Sequence, residues 1–292
     1  MPVEAKPIFR PDVIRLPILG FGLPGKTSQC VPKLQKWAEI ISSGSVDSHK
    51  EQEILGDFLN DVFCELLGHS RAVDNPKRYT ISREKHVQAN GKYADAVLGE
   101  FGPSANRYIA VLEGKGPKDP LDRPFGGRKV SAVDQAYDYA INLRCSWILV
   151  TSIRQTRLYY KGTDKRTFER FDTEALAGDE KQLRKFVFLL HVDRMVPPSG
   201  PCHLDNLFQE SEKVGRDLTV EFYAQYSFIR RTTLNHLRRQ NPDIEPRLVL
   251  GCSQKLLDRI LFIAFCEDRG LLPAETIKRA DQRQLEFPPS DN

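Results

Sequence analysis

Two acidic residues and a lysine lie in neighbouring strand-like segments in the middle of this 292-residue chain. Glu113 and Lys115 follow the apolar run 107–112, and Asp95 lies within the run 93–98. Paired carboxylates hold a hard divalent cation, and such a cation lowers the pKa of a bound water and neutralises charge on a phosphate. A lysine beside that water supplies a point charge. These residue types predict metal-dependent cleavage of a phosphodiester.

Strand periodicity brings these side chains together. Because successive side chains of a strand point to opposite faces, Glu113 and Lys115 share a face. The turn-forming stretch 102–104 (Gly-Pro-Ser) separates the two runs, so we expect a hairpin that places Asp95 close to Glu113. The ordinary alternative is a set of strand-end charges with Lys115 as a salt-bridge partner, since a Glu-x-Lys string is short and common.

The surrounding sequence favours a site over that alternative. A basic loop follows Lys115, and a helix that opens with the capping residues Ser131 and Asp134 comes next. Gln135 lies in the first turn of this helix, where free N–H groups attract anions, and Tyr139 shares its face one turn later. The basic residues of the loop are Lys118, Arg123, Arg128 and Lys129.

The elements that must position these residues predict an α/β domain. Residues 51–67 carry a helical apolar stripe that ends at Gly68, and 131–142 form a second helix. A helix inserted between strands indicates a crossover, hence a mixed sheet flanked by helices. The strand-like runs are 78–82, 93–98, 107–113, 146–151 and 156–161. The helical segments beyond residue 172 are 180–190, 204–239 and 254–268.

Composition sets few limits on function. The 43 basic and 39 acidic residues give a net charge of +4, which is compatible with a polyanionic partner without requiring one. The six cysteines include no Cys-x-x-Cys pair, so reduced thiols are expected. The sequence shows neither a signal-peptide core nor an apolar run of membrane-spanning length, which predicts a cytoplasmic protein with no membrane partner.

The first 45 residues are rich in proline and glycine, which predicts an irregular N-terminal arm. Within it, the string 20–27 (Gly-Phe-Gly-Leu-Pro-Gly-Lys-Thr) matches the letters of a phosphate-binding loop. Such a loop needs a strand before it and a helix after it, and Pro17, Pro24 and Pro32 interrupt both. An enzyme driven by nucleotide binding is therefore a minor alternative.

The combined order of these motifs resembles the nuclease domain of the PD-(D/E)XK superfamily, and is most similar to the fused type IIG restriction–modification enzymes and type I motor-subunit nucleases. The resemblance covers roughly residues 50 to 170, with alanine rather than proline before Asp95. The segments that carry it are 94–95, 113–118, 121–124, 133–140 and 147–151.

The resemblance implies a PD-(D/E)XK restriction-endonuclease-like sheet and a Mg²⁺ site, with Mn²⁺ as a substitute ion. It implies that Asp95 and Glu113 ligate the metal and that the carbonyl of Gly114 adds an oxygen. It also implies that Lys115 positions the hydrolytic water.

Two helices are implied to contribute further residues to the active site. Gln135 and Tyr139 match a Gln-x-x-x-Tyr motif that steadies the site or a DNA phosphate. An acidic residue on the first helix is also expected, for which we favour Glu53 over Glu51 and Asp57.

Residues 256–272 are similar to the helical connector that precedes the methyltransferase domain of type IIG enzymes, although no methyltransferase motif follows. We therefore expect an arm over 1–45, a nuclease domain over 46–172 and an all-helical connector region over 173–292. The implied partners are double-stranded DNA, a methyltransferase and target-recognition domain or subunit, and a second copy of the chain in a transient homodimer.

Two functions follow as hypotheses. The first is a Mg²⁺-dependent DNA endonuclease of the type II, IIG-like kind. The alternative is a catalytically silent DNA-binding or assembly subunit of a restriction–modification system. Retention of Asp95, Glu113 and Lys115 together favours the first, since a silent subunit has no chemical need for all three.

Overall fold

The chain divides into two compact units, Met1–Val214 and Gly215–Asn292. The computed structural model describes residues 5–87, 92–103, 105–198 and 200–286. Ser104 of the predicted turn therefore lies outside the described residues. The predicted site lies in the first unit.

The N-terminal segment is helical, so the predicted irregular arm is wrong. Helix α1 spans Pro11–Leu19 and α2 spans Gly25–Ser42, followed by a short 3₁₀ turn at Ser45–Ser48. The prolines obscured these helices because two of them, Pro11 and Pro24, mark helix starts rather than breaks.

The apolar spacing of α2 explains why it forms despite Pro32 in its interior. Leu34, Trp37 and Ile41 lie on one face at helical spacing, and all three are buried in the core. Burial of that face outweighs the hydrogen bond that the proline removes.

The phosphate-loop alternative is also wrong. The string 20–27 runs from the end of α1 into the first turn of α2, and the described residues before it form no strand. Thr27, which would face a bound nucleotide, is buried and donates its hydroxyl proton to the carbonyl of Leu66 at 2.9 Å.

The helix predicted over 51–67 is present. It begins as α3, Glu51–Phe58, and continues as a π-helical segment, Leu59–Leu66. Its apolar stripe packs in the same core as α1 and α2.

A six-stranded mixed sheet forms the centre of the first unit, with its strands in chain order. The third and fourth strands are parallel and every other neighbouring pair is antiparallel. The strands are β1 Tyr79–Val87, β2 Lys92–Gly102, β3 Ala105–Gly114, β4 Trp147–Thr151, β5 Gln155–Tyr160 and β6 Phe168–Asp172. Helix α4, Ala132–Asn142, makes the crossover between β3 and β4. The predicted mixed α/β sheet is confirmed, and β6 is an additional strand that the sequence pattern did not predict.

Helices cover both faces of the sheet. In one core cluster, the helices α1, α2 and α3 pack on one face of the sheet, against residues such as Leu98 and Leu112. In the other cluster, α4 packs on the opposite face, against residues such as Val111 and Ile148. The end of β3 therefore lies between α3 and α4, where the candidate residues are.

The elements described after β6 are helices: α5 Thr173–Gly178, α6 Glu180–Leu190, α7 Val192–Met195, α8 His203–Gln240, α9 Pro246–Asp268 and α10 Thr276–Glu286. The predicted boundary at residue 173 is misplaced. Phe186, Val187 and Leu204 are buried in the same core as the sheet, so α5 to α7 and the start of α8 belong to the first unit. Within the described ranges, every helix is too short or too polar to cross a bilayer.

A buried glutamate fastens the N-terminal segment to the sheet. Glu169 on β6 is 2% exposed, and its Oε1 accepts the N–H groups of Ile8 at 2.9 Å and Phe9 at 3.1 Å. Its Oε2 accepts a hydrogen bond from Lys185 Nζ at 2.6 Å. This one side chain satisfies two backbone donors and one ammonium group.

Replacing Glu169 by alanine should lower the free energy of unfolding by about 3 kcal/mol, because two buried N–H groups and a half-buried ammonium lose their acceptor. Glu169→Gln keeps one carbonyl oxygen and should cost less. Urea unfolding followed by circular dichroism measures both, with the exposed Glu174→Ala as the control. Equal midpoints for Glu169→Ala and Glu174→Ala would contradict this role.

Candidate active site

The hairpin of β2 and β3 brings Asp95 to Glu113. Ala96 pairs with Leu112 across the antiparallel ladder, and Asp95 and Glu113 are the next residues on each strand. Residues directly opposite in such a ladder project to the same face. Asp95 Oδ2 also accepts the N–H of Gly114 at 2.7 Å, which fixes its carboxylate at the end of β3.

Lys115 completes the cluster. Its Nζ lies 2.5 Å from Glu113 Oε1 and 3.9 Å from Asp95 Oδ2. Its backbone N–H donates to the carbonyl of Thr151 at 2.8 Å, so the residue is held against the end of β4. The three residues predicted as a set thus converge at one edge of the sheet.

Burial leaves Glu113 short of partners. The residue is 1% exposed, and its Oε2 is a buried atom without a hydrogen-bond partner among the described residues. Burial, and then the charge of Asp95, raises the pKa of Glu113 to about 8, although Lys115 lowers it. An acceptor in this position is one that a cation can satisfy.

The neighbouring charges are perturbed in the same environment. Burial raises the pKa of Asp95, while Lys115 and the Gly114 N–H oppose that rise. Burial by itself lowers the pKa of Lys115, but Glu113 and Asp95 more than offset this, so its pKa is raised. Lys115 therefore remains an ammonium group.

Close packing explains the glycine between Glu113 and Lys115. A Cβ added to Gly114 would lie 2.5 Å from Leu55 Cδ1, so α3 approaches the end of β3 only because no side chain is present. This contact brings the first turn of α3 to the carboxylates.

Helix α4 supplies Gln135 and Tyr139, and it covers the face of the sheet opposite to α3. Ser131 caps the helix by accepting the N–H of Asp134 at 3.0 Å, as the sequence predicts. Gln135 Nε2 donates to the Tyr139 hydroxyl at 2.6 Å. Burial raises the pKa of Tyr139, the Gln135 hydrogen bond lowers it, and the Glu113 charge raises it. Tyr139 thus lies within electrostatic range of Glu113, and Gln135 contacts the site through Tyr139.

Glu51 is the acidic residue of α3 that reaches this cluster. Its Oε2 accepts the N–H of Gly116 at 3.0 Å. The Glu51 carboxylate also raises the pKa values of Asp95, Glu113 and Lys115, although burial and the nearer charges have larger effects on them.

A cleft of about 400 Å³ lies beside Lys115. It is bordered by the first turn of α3 and by the basic loop that follows β3. Residues that line it include Glu51, Lys115, Lys118, Phe125 and Arg128. Lys115, which pairs with Glu113 and lies close to Asp95, therefore borders a space that a ligand can enter.

Comparisons with known proteins were made for the whole chain. No protein-family model matches it, and no curated protein matches it. Among solved structures it is similar to a chain of the cryo-electron microscopy structure of the DrdV–DNA complex, with 20% sequence identity and a TM-score of 0.33. That match covers 56% of this chain and 98% of the other.

The preference for Glu53 is corrected by the structure. Its side chain is 55% exposed, accepts the N–H of Lys50 at 2.9 Å and lies 3.9 Å from His49 Nδ1, so it caps α3. Residues two positions apart project about 200° from each other around a helix, which is why Glu51 reaches the site and Glu53 does not. Asp57, the other alternative, is exposed and lines a different pocket.

The donor set fits a magnesium ion. Asp95 and Glu113 present carboxylate oxygens on one face, and Glu113 Oε2 has no other partner among the described residues. Over the same part of the chain, no group of three or more His, Cys, Asp or Glu side chains is placed to hold a metal ion, so the two carboxylates would be the acidic ligands. Mg²⁺ is commonly held by one or two carboxylates, with waters and substrate phosphates completing its octahedron, and Asp95 and Glu113 are donors of that type and number.

One ordered pair in the basic loop was not predicted from the sequence. Asp119 is buried and accepts hydrogen bonds from Arg128 Nη2 and from the N–H of Leu121. Nothing in the periodicity of a loop indicates such a contact, because it depends on how the loop folds back on itself. Leu121, with φ of 66°, provides that reversal and is buried.

Proposed function

We propose that this chain is a Mg²⁺-dependent DNA endonuclease of the PD-(D/E)XK type. The observation that carries the proposal is the convergence of Asp95, Glu113 and Lys115 on one face, with Glu113 Oε2 buried and unpartnered among the described residues. A surface salt bridge would leave these groups in water, whereas burial next to an open cleft is the setting in which charged groups act on a substrate.

Asp95 and Glu113 would hold the ion, and the carbonyl of Gly114 would add an oxygen. When bound, Mg²⁺ supplies positive charge to the phosphate and makes a coordinated water more acidic. The N–H of Gly114 keeps Asp95 oriented, and Glu51 anchors the turn after Lys115 through the N–H of Gly116.

Lys115 would act on the substrate directly. Its ammonium is held 2.5 Å from Glu113 Oε1, at a position from which it can donate to a phosphate oxygen or to the attacking water. Water adds to phosphorus and releases a proton to solvent as the bond to the 3′ oxygen breaks, and the leaving oxygen takes a proton from solvent. Gln135 and Tyr139 would steady this arrangement from α4.

We propose double-stranded DNA as the substrate, with target choice made by a separate recognition domain or subunit that works with a methyltransferase. Double-strand cleavage needs two active sites, which a transient homodimer would provide. Cleavage by this chain alone should therefore be weak and unspecific in sequence.

Calorimetric titration with Mg²⁺ and with Mn²⁺ tests the metal site directly. We expect one site per chain, with binding stronger at pH 8 than at pH 6, because the metal and a proton compete for Glu113. Glu113→Gln should abolish binding, while the exposed Glu174→Ala should not change it. An absence of binding by the wild-type chain at either pH would favour the catalytically silent subunit.

A further inference from the structure

The cleft beside Lys115 contains acidic residues that already have partners. Asp47 pairs with Arg154 at 2.9 Å, and Glu51 accepts the N–H of Gly116 at 3.0 Å. Arg154 offsets the charge of Asp47, and the Gly116 N–H holds the Glu51 carboxylate in place without neutralising it.

Arg128 is held rigidly in the cleft and keeps an unused donor. Its Nη2 binds the buried carboxylate of Asp119, and its Nε donates to the carbonyl of Phe125 at 3.3 Å. Its Nη1 is buried and has no hydrogen-bond partner among the described residues. An unpaired buried donor costs about 1–3 kcal/mol, so a bound acceptor would be favoured here.

Lys118 adds a second cation to the same wall. Its side chain is exposed, and over the described ranges it forms no ion pair or hydrogen bond that would compete for its charge. Arg128 and Lys118 approach the cleft from the same loop, and Lys115 borders it from the end of β3. Arginine presents a planar fork to a phosphate and lysine a point charge, and this pair is suited to a phosphodiester.

We infer that this cleft is a subsite for a second backbone phosphate of the DNA, adjacent to the phosphate held at Asp95 and Glu113, and that Arg128 is the residue that binds it. The inference rests on the proposed nuclease function. Arg128 positions the strand so that the neighbouring phosphate enters the site beside Lys115.

Salt-dependent binding of a short DNA duplex tests this inference. Fluorescence anisotropy in buffer containing Ca²⁺ in place of Mg²⁺ gives Kd at several salt concentrations. Arg128→Ala should weaken binding about tenfold and reduce the slope of log Kd against log salt by about 1, since one phosphate contact is lost. Arg128→Lys should keep the slope and lose only part of the affinity.

Arg170→Ala is the matched control. Arg170 also pairs with an aspartate, Asp172 at 2.7 Å, but it lies on the edge strand β6 and is 45% exposed. The same charge is removed there, so a general electrostatic effect would lower the slope equally in both variants. Circular dichroism shows whether each variant is folded. If Arg128→Ala does not fold, the affinity and slope of Arg128→Lys are compared with those of the wild type instead.

Nicking assays with Mg²⁺ separate the two possible failures. If the wild-type chain nicks DNA and Arg128→Ala binds with the same Kd and slope as Arg170→Ala, the phosphate subsite is refuted and the nuclease stands. If the wild-type chain neither binds nor nicks DNA, the proposed function fails first. A rise in KM for nicking by Arg128→Ala that exceeds its change in kcat supports the positioning role.

Discussion

Replacing Lys115 or Asp95 by alanine should reduce Mg²⁺-dependent nicking of supercoiled DNA by about 10³-fold or more. Lys115 is the only ammonium among the described residues that is hydrogen-bonded to Glu113, so no described neighbour can replace its charge. Asp95 is the carboxylate opposite Glu113, and its loss would remove one of the two oxygen donors proposed for the ion. Agarose gel electrophoresis of plasmid DNA measures the rate.

The variants should still fold. Without Lys115, Glu113 can take up a proton, since burial already raises its pKa to about 8. Without Asp95, the N–H of Gly114 loses its acceptor, at a cost of about 1–3 kcal/mol. Lys115→Met keeps the apolar stem and tests whether packing or charge is responsible.

The exposed residues Lys181 and Asp138 provide controls of the same charge type. Lys181→Ala and Asp138→Ala should nick at wild-type rate. Nicking by Lys115→Ala and Asp95→Ala at that same rate would overturn the assignment of the active site.

Relative to a Glu113→Gln variant, the metal-free protein should lose stability as pH rises from about 5 to 8. A glutamate normally ionises near pH 4.5, but burial and the charge of Asp95 hold the proton on Glu113 until about pH 8. Between these values the folded chain binds a proton that the unfolded chain has released, so the free energy of unfolding falls as pH rises. The contribution of this one group is about 4 kcal/mol.

Glu113→Gln isolates that contribution. Groups elsewhere act in the opposite direction over part of this range: burial lowers the pKa of His69 and of His203 to about 4, so the unfolded chain takes up protons there as pH falls from 6.5 to 5 and the folded chain does not. The free energy of unfolding should therefore be compared at each pH between the wild type and Glu113→Gln. The glutamine cannot ionise, so the difference between the two proteins gives the loss of stability that comes from Glu113. Urea unfolding in EDTA at pH 5, 6.5 and 8 makes the comparison.

Mg²⁺ should reverse the effect at pH 8. A cation that binds the ionised Glu113 stabilises the folded chain, whereas Glu113→Gln should gain little. Identical pH profiles for the two proteins would show that Glu113 ionises in the folded state as it does in the unfolded chain.

Local pattern was sufficient to predict the sheet up to β5. The alternating run that ends at Glu113 and the turn before it predicted the hairpin, because strand periodicity and turn chemistry are properties of short segments. The strand β6 was not predicted, since its pattern is brief and two of its charged residues, Glu169 and Arg170, have opposite environments. Glu169 is buried against the N-terminal segment, which no local window contains.

Predictions that took prolines or local helical patterns as the limits of a domain were less accurate than the prediction of the strands. Prolines led to the prediction of an irregular arm, yet α2 forms because Leu34, Trp37 and Ile41 find a core to pack against. The domain boundary was misplaced for the same reason, since burial of α6 against the sheet cannot be read from its own residues.

The sequence by itself determined which groups could do chemistry, namely Asp95, Glu113 and Lys115, because residue type and a period of two fix what a strand end can present. Only the tertiary structure decided between Glu51 and Glu53, since that choice depends on which side of α3 meets the end of β3. It also decided that Glu113 is buried with an unpartnered oxygen and that Arg128 is held by Asp119 beside the cleft. Burial and pairing arise from chain segments far apart in sequence, and those distances are set only when the chain folds.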